Sequence, residues 1–140
     1  MKPLYTAEVL STGIGRDGHV HSADGQIDAD LTLPMEMGGS GAGLNPEQLF
    51  GAAYAASFNN SLHALAAQEG LTLENASVQA QVAVGTNDIG GYELGVLLQI
   101  NLPGIDLDTA TRLTDGAHQT CPYSTIMKGN LEVLLDIVDE

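Results

Sequence analysis

Asn45-Pro46-Glu47-Gln48-Leu49-Phe50-Gly51-Ala52-Ala53-Tyr54-Ala55-Ala56-Ser57-Phe58 is the stretch that decides how this chain folds. It opens with a cap-forming asparagine, puts proline at the first helical position, and places an acid and an amide in the first turn. The pattern predicts a helix that starts here and runs to about Glu69, with Gly70 as its carboxyl-terminal stop. From Leu49 to Phe58 the segment is apolar or small on every side, and a helix without a wet face is buried. Ala52, Ala53, Ala55 and Ala56 let other backbones approach closely. A chain of 140 residues has little material to enclose such a helix alone, so the segment predicts a homodimer with closed symmetry. The alternative is a monomer whose own sheet and second helix cover it.

Upstream, Leu4 to Thr12 alternates in type and ends at Gly13. The turn-rich Gly15-Arg16-Asp17-Gly18 leads to His19-Val20-His21 and then to the Asp24-Gly25 turn signal, which together read as a β-hairpin. Ile27 to Leu33 alternates again and stops at Pro34, giving a third strand. The glycine-rich run from Gly38 to Gly43 then reads as a flexible connector. Downstream, Ser77 to Val84 and Tyr92 to Leu102 read as two longer strands joined across Thr86 to Gly91. Asp106 to Gln119 has capping and helical character, and Leu131 to Val138 alternates as a final strand. The expected order is βββαββαβ, one α+β domain over residues 1–140.

Four cations, Lys2, Arg16, Arg112 and Lys128, face eighteen carboxylates, for a formal net charge of −14 at pH 7. That field repels polyanions, so nucleic acid is not expected as a partner. The longest uncharged apolar run, Leu49 to Phe58, is far too short to span a bilayer, and no stretch of signal-peptide length opens the chain. No membrane association is expected. A single cysteine, Cys121, cannot close a disulfide within its own chain, which agrees with a reducing compartment and a cytoplasmic location. Each arginine is conspicuous against such an acidic background. Arg112 has ready helical partners in Asp108 or Asp115, whereas Arg16 has none.

The glycine-rich connector lacks the Gly-Lys-Ser/Thr ending of a phosphate loop and misses the G-x-G-x-x-G spacing, and no other segment carries a cofactor motif. His19 and His21 lie two apart on one strand face, half of a metal site, but no third ligand is apparent, so neither cofactor nor metal is expected. Ser57 lacks the G-x-S-x-G elbow of a hydrolytic nucleophile, and His63, six positions on, sits about 120 degrees away around a helix. By itself Ser57 is a small polar residue in a tight helix. Cys121 lies in Ala117-His118-Gln119-Thr120-Cys121-Pro122-Tyr123-Ser124, and its own residues leave a small buried hydrophobe and a reactive thiol both open.

Three segments taken together, GRDGHVHSADG (Gly15 to Gly25), GAGLNPEQLFGAAYAASF (Gly41 to Phe58) and AHQTCPYSTIMKGN (Ala117 to Asn130), resemble the organic hydroperoxide resistance (Ohr) branch of the Ohr/OsmC family. The resemblance spans nearly the whole chain. It implies an intertwined homodimer in which antiparallel sheets wrap a long central helix, and a thiol-dependent peroxidase that reduces organic hydroperoxides in oxidative-stress defence. It also implies a dithiol reductant, in this family often a lipoylated protein. By the family's pattern Cys121 matches the resolving cysteine, Arg16 and Glu47 match the arginine and glutamate of the site, and Ser57 stands where the peroxidatic cysteine belongs. Phe50, Tyr54 and Phe58 are candidate linings of the substrate pocket.

A hydroxyl cannot attack the oxygen–oxygen bond, become a sulfenic acid or be captured as a disulfide, so Ser57 would cut the redox cycle at its first event. Two explanations of the serine compete, a deliberate replacement of the reactive cysteine in an active peroxidase and a natural relative that has lost the chemistry and keeps a binding role; beside them stand Cys121 acting alone and a non-enzymatic binder of small apolar or acyl ligands. Glu47 and position 57 are ten residues apart, about 15 Å along an unbroken helix. To share one site, either the helix breaks, with Gly51 the best place, or the two meet across a dimer interface.

Overall fold

The computed structural model describes residues 1–139. Strands β1 (Val9–Ile14), β2 (Asp17–Ser22) and β3 (Asp28–Asp30) are followed by helix α1 (Pro46–Gln68), the hairpin β4 (Ser77–Thr86) and β5 (Tyr92–Asn101), helix α2 (Leu107–Thr120), the short α3 (Pro122–Met127) and β6 (Val133–Ile137). The order βββαββαβ is present, with α3 a helix more than the sequence reading contained. The residues fall into two compact units, one from Met1 to Leu49 and one from Phe50 onward.

In the first unit β1 pairs antiparallel with β2, and β2 with β3. β1 begins later than expected and runs through Gly13, because the hairpin closes on the two-residue turn Gly15-Arg16 between the paired residues Ile14 and Asp17. Gly15 takes φ +60 at the first central position, as in a type II′ turn, and leaves Arg16 at the tip. A Cβ on Gly18 would lie 2.2 Å from the Thr12 carbonyl oxygen, so glycine is required where these two strands come close.

β3 is shorter than the expected Ile27 to Leu33, since the residues after Asp30 pair with the connector instead. The Thr32 amide donates to the Leu44 carbonyl and the Leu44 amide to the Asp30 carbonyl, each at 3.0 Å. The connector is therefore not the flexible segment that its glycines suggested. A one-turn 3-10 helix at Met35–Met37 reverses the chain, and the amides of Gly39 and Gly41 donate back to Pro34 and Leu33. A Cβ on Gly39 would sit 2.1 Å from the Leu33 oxygen, so the glycine serves close return rather than mobility.

The second unit holds the core. β4 and β5 form a full antiparallel ladder, while β6 pairs with β5 in parallel. That corrects the expectation of antiparallel sheets: the β5 to β6 connection crosses over through α2 and α3, and such a crossover returns the strand in the same direction. α1 packs Gly51, Tyr54, Phe58, Leu62 and Ala66, three or four residues apart, into one apolar face with Leu98, Ile100 and Leu113. A Cβ placed on Gly51 would meet Val82 and Ala80 of β4 at 3.5–3.9 Å, ordinary van der Waals contact, so the packing here does not demand glycine. The stripe Ala52, Ala56 and Asn60 stays exposed, so one chain covers only one side of a helix whose sequence is apolar all round.

Asp106 caps α2 by accepting from the Thr109 amide at 2.9 Å. Arg112 pairs not with Asp108 or Asp115 but with Glu69, beyond the last turn of α1. Among the described residues no helix is long and apolar enough to cross a membrane.

His19 has a partner on each ring nitrogen: Nδ1 lies 2.8 Å from Asp30 and Nε2 lies 2.5 Å from Asp28. Both partners are carboxylates, which only accept when ionised, so the arrangement favours the protonated ring, in which both nitrogens donate. Its pKa is accordingly raised above 6.5, chiefly by the Asp30 hydrogen bond and then by Asp28. A raised folded-state pKa means stabilisation that is complete below 6.5 and lost as pH rises through the folded value. Proton NMR titration is expected to place the His19 midpoint above 6.5 and to move it back down in Asp30→Asn; an unmoved midpoint would contradict the bridge.

Candidate active site

Arg16 and Glu47 come together in the first unit. Nη1 of Arg16 donates to Oε2 of Glu47 at 2.8 Å and Nη2 to Oε1 at 2.6 Å, a two-pronged ion pair between the hairpin tip and the first turn of α1. That turn is held by a reciprocal cap, in which the Gln48 amide donates to Asn45 Oδ1 at 2.8 Å and the Asn45 amide to Gln48 Oε1 at 3.1 Å. The Glu47 side chain is 12% exposed. Arg16 holds its carboxyl below the usual 4.5, winning over burial, which pushes the other way.

Ser57 and Cys121 come together in the second unit. Cys121 ends α2 and begins α3, with Pro122 at the first position of the new helix. Its sulfur is fully buried and lies 3.5 Å from the Ser57 hydroxyl, which α1 presents. One turn earlier on α1, the Tyr54 hydroxyl lies 2.6 Å from that of Ser124, both fully buried. Burial raises the Tyr54 pKa, the Ser124 hydrogen bond opposes it, and proximity to Cys121 adds a smaller upward push.

Of the candidate pocket residues, Tyr54 and Phe58 are fully buried in the core, whereas Phe50 is half-buried beside it. Phe50, Tyr54 and Tyr123 form a ring cluster with centroids 5.9–6.4 Å apart. Tyr123 and Ser124 were not singled out from the sequence, although both adjoin the Cys121-Pro122 helix start that could have pointed to them. His118, in the last turn of α2, is held below its usual 6.5, first by burial and then by the Lys128 charge. Among the described residues no group of three or more histidines, cysteines or carboxylates is placed to hold a metal.

α1 is continuous through Gly51. The helix does not break at this glycine, which removes the first of the two ways in which Glu47 and position 57 could share a site.

The profile of the OsmC family, described as OsmC-like protein, matches residues 38–136. The organic hydroperoxide resistance protein of Xanthomonas axonopodis pv. citri is 45% identical over 138 residues, covering 97% of this chain and 96% of that protein. This chain belongs to the OsmC family, in its Ohr branch. Among solved structures, an organic hydroperoxide resistance protein of Legionella pneumophila superposes with a TM-score of 0.93 at 38% identity, covering 99% of this chain and 100% of the other. OhrB of Bacillus subtilis does so with a TM-score of 0.89 at 37% identity, covering 97% and 100%. The βββαββαβ order of this Ohr-branch chain is thus that of its solved relatives.

Because the Glu47 pKa is depressed, the ion pair with Arg16 contributes fully above 4.5 and is lost as pH falls through the folded value. Carbon NMR of the Glu47 carboxyl is expected to give a midpoint below 4.5 that climbs in Arg16→Ala, where burial is no longer opposed; an unchanged midpoint would refute the pairing.

Proposed function

We propose that this chain has the scaffold of a thiol-dependent peroxidase acting on organic hydroperoxides in cytoplasmic oxidative-stress defence, with the redox cycle blocked at its first step by the hydroxyl of Ser57. The 3.5 Å approach of Ser57 to Cys121 carries this reading, because a thiol in place of that hydroxyl would face a second thiol across a part-buried contact. The names of the relatives support the peroxide chemistry.

In the unblocked cycle a thiolate at position 57 attacks one peroxide oxygen. The oxygen–oxygen bond breaks, the alcohol departs with a proton, and a sulfenic acid remains. The Cys121 sulfur then attacks it, water leaves, and a disulfide forms that an external dithiol, such as a lipoylated protein, reduces. Arg16, oriented by Glu47, would favour the thiolate and donate to the peroxide oxygen.

A second copy of the chain is proposed as the partner that completes the site. α1 does not break at Gly51, which leaves a meeting of Glu47 and position 57 across two copies as the arrangement proposed. The exposed alanine stripe of α1 and the edge strand β1 both call for cover. β1 shows Val9, Leu10 and Ile14 at 53%, 63% and 83% exposure, with Val9 and Leu10 on opposite faces. Light scattering is expected to give twice the 14.5 kDa chain mass, and Leu10→Asp to lower it towards one chain; a monomer at the outset would refute the two-chain site.

Turnover of cumyl hydroperoxide with a dithiol separates the functional readings. Activity is expected in Ser57→Cys and not in this chain. Equal activity in both would show that Ser57 blocks nothing, and activity in neither would favour a binder of apolar or acyl ligands at the half-buried Phe50 and Tyr123 rings.

A further inference from the structure

Two contacts join α1 to the start of α3, and they share one register. Tyr54 meets Ser124 and Ser57 meets Cys121, a spacing of three residues on each side, so the pairs are successive rungs between antiparallel partners. The Tyr54 rung is the short one, at 2.6 Å, with both residues fully buried. The Ser57 rung spans 3.5 Å to a sulfur, which is a weak donor and a weak acceptor, and it is only part-buried. Ser124 lies in the first turn of α3, and the Cys121 carbonyl accepts from the Thr125 amide at 3.0 Å, so the turn that carries the sulfur moves with Ser124. A hydrogen bond in a dry core resists sliding, because separating its partners leaves two hydroxyls unsatisfied.

We propose that the Tyr54–Ser124 hydrogen bond is the positioning contact that holds the Cys121 sulfur against position 57, ready for disulfide closure. The inference rests on the redox reading of that pair. Closure requires the two sulfurs to approach to about 2.05 Å with a restricted dihedral angle. A rung one turn away on both helices fixes their separation and direction before the bond forms, which raises the effective concentration of one thiol at the other.

The test uses Ser57→Cys as background and measures the equilibrium of its 57–121 disulfide with reduced and oxidised dithiothreitol, a quantity independent of peroxide. Tyr54→Phe keeps the ring packing with Phe50 and Tyr123 and deletes only the hydroxyl. It is expected to weaken closure about tenfold, a potential about 30 mV less reducing. Ser124→Ala is expected to match it, and the double variant to go no further, because both remove the same bond. A bond that merely stabilised the fold would lower the stability of the reduced and oxidised forms alike and leave the equilibrium unmoved. Unchanged closure, additive losses, or no disulfide at all in Ser57→Cys would overturn the proposal. If the disulfide closes and responds to the rung but no peroxide is consumed, the positioning stands and the peroxidase reading fails. If peroxide is consumed and closure ignores the rung, only the positioning fails.

Discussion

The unbroken course of α1 from Pro46 to Gln68 is the constraint on which the rest depends. A continuous helix fixes the height and direction of every side chain on it at 1.5 Å and 100 degrees per residue. Its first turn holds Glu47 against the arginine at the hairpin tip. Its buried face carries Tyr54, Phe58 and Leu62 into the core, and the same stretch brings Tyr54 and Ser57 against the turn between α2 and α3. Gly51 does not bend the helix, and a Cβ there would meet β4 only at ordinary contact distance.

Charge follows the same economy. With so few cations, two are committed to identifiable carboxylates: Arg16 to the half-buried Glu47, and Arg112 to Glu69. The first pair is two-pronged and shielded, the second exposed, so only the first is built to keep its geometry. His19, when protonated, adds a local positive charge between two aspartates on the exposed face of the first sheet.

What the sequence made legible was what local chemistry determines. The Asn45-Pro46 cap, the Asp106 cap, the β4–β5 hairpin and the presence of a hairpin turn around Gly15 to Gly18 all lie within a few residues of their cause. The misreadings were non-local. Whether β6 runs parallel depends on the crossover before it, and where β1 begins depends on what β2 can pair with. The glycines of the connector looked loose because nothing in them reveals that Leu33 lies against the returning chain. In the candidate site, Arg16 and Glu47, like Ser57 and Cys121, were named from a family pattern, and the structure pairs each of them. The hydroxyl of Ser124 went unnoticed because its partner is seventy residues away. The apolar circumference of α1 was legible as a pattern, yet one chain buries only one side of it.

That uncovered side leads to the proposal that the guanidinium of one copy serves position 57 of another. A crystal structure of the assembled protein tests it most directly. Arg16 of one protomer is expected within hydrogen-bond reach, about 3 Å, of the Ser57 hydroxyl of its partner. A dimer whose interface leaves every Arg16–Glu47 pair remote from both copies of Ser57 would contradict it.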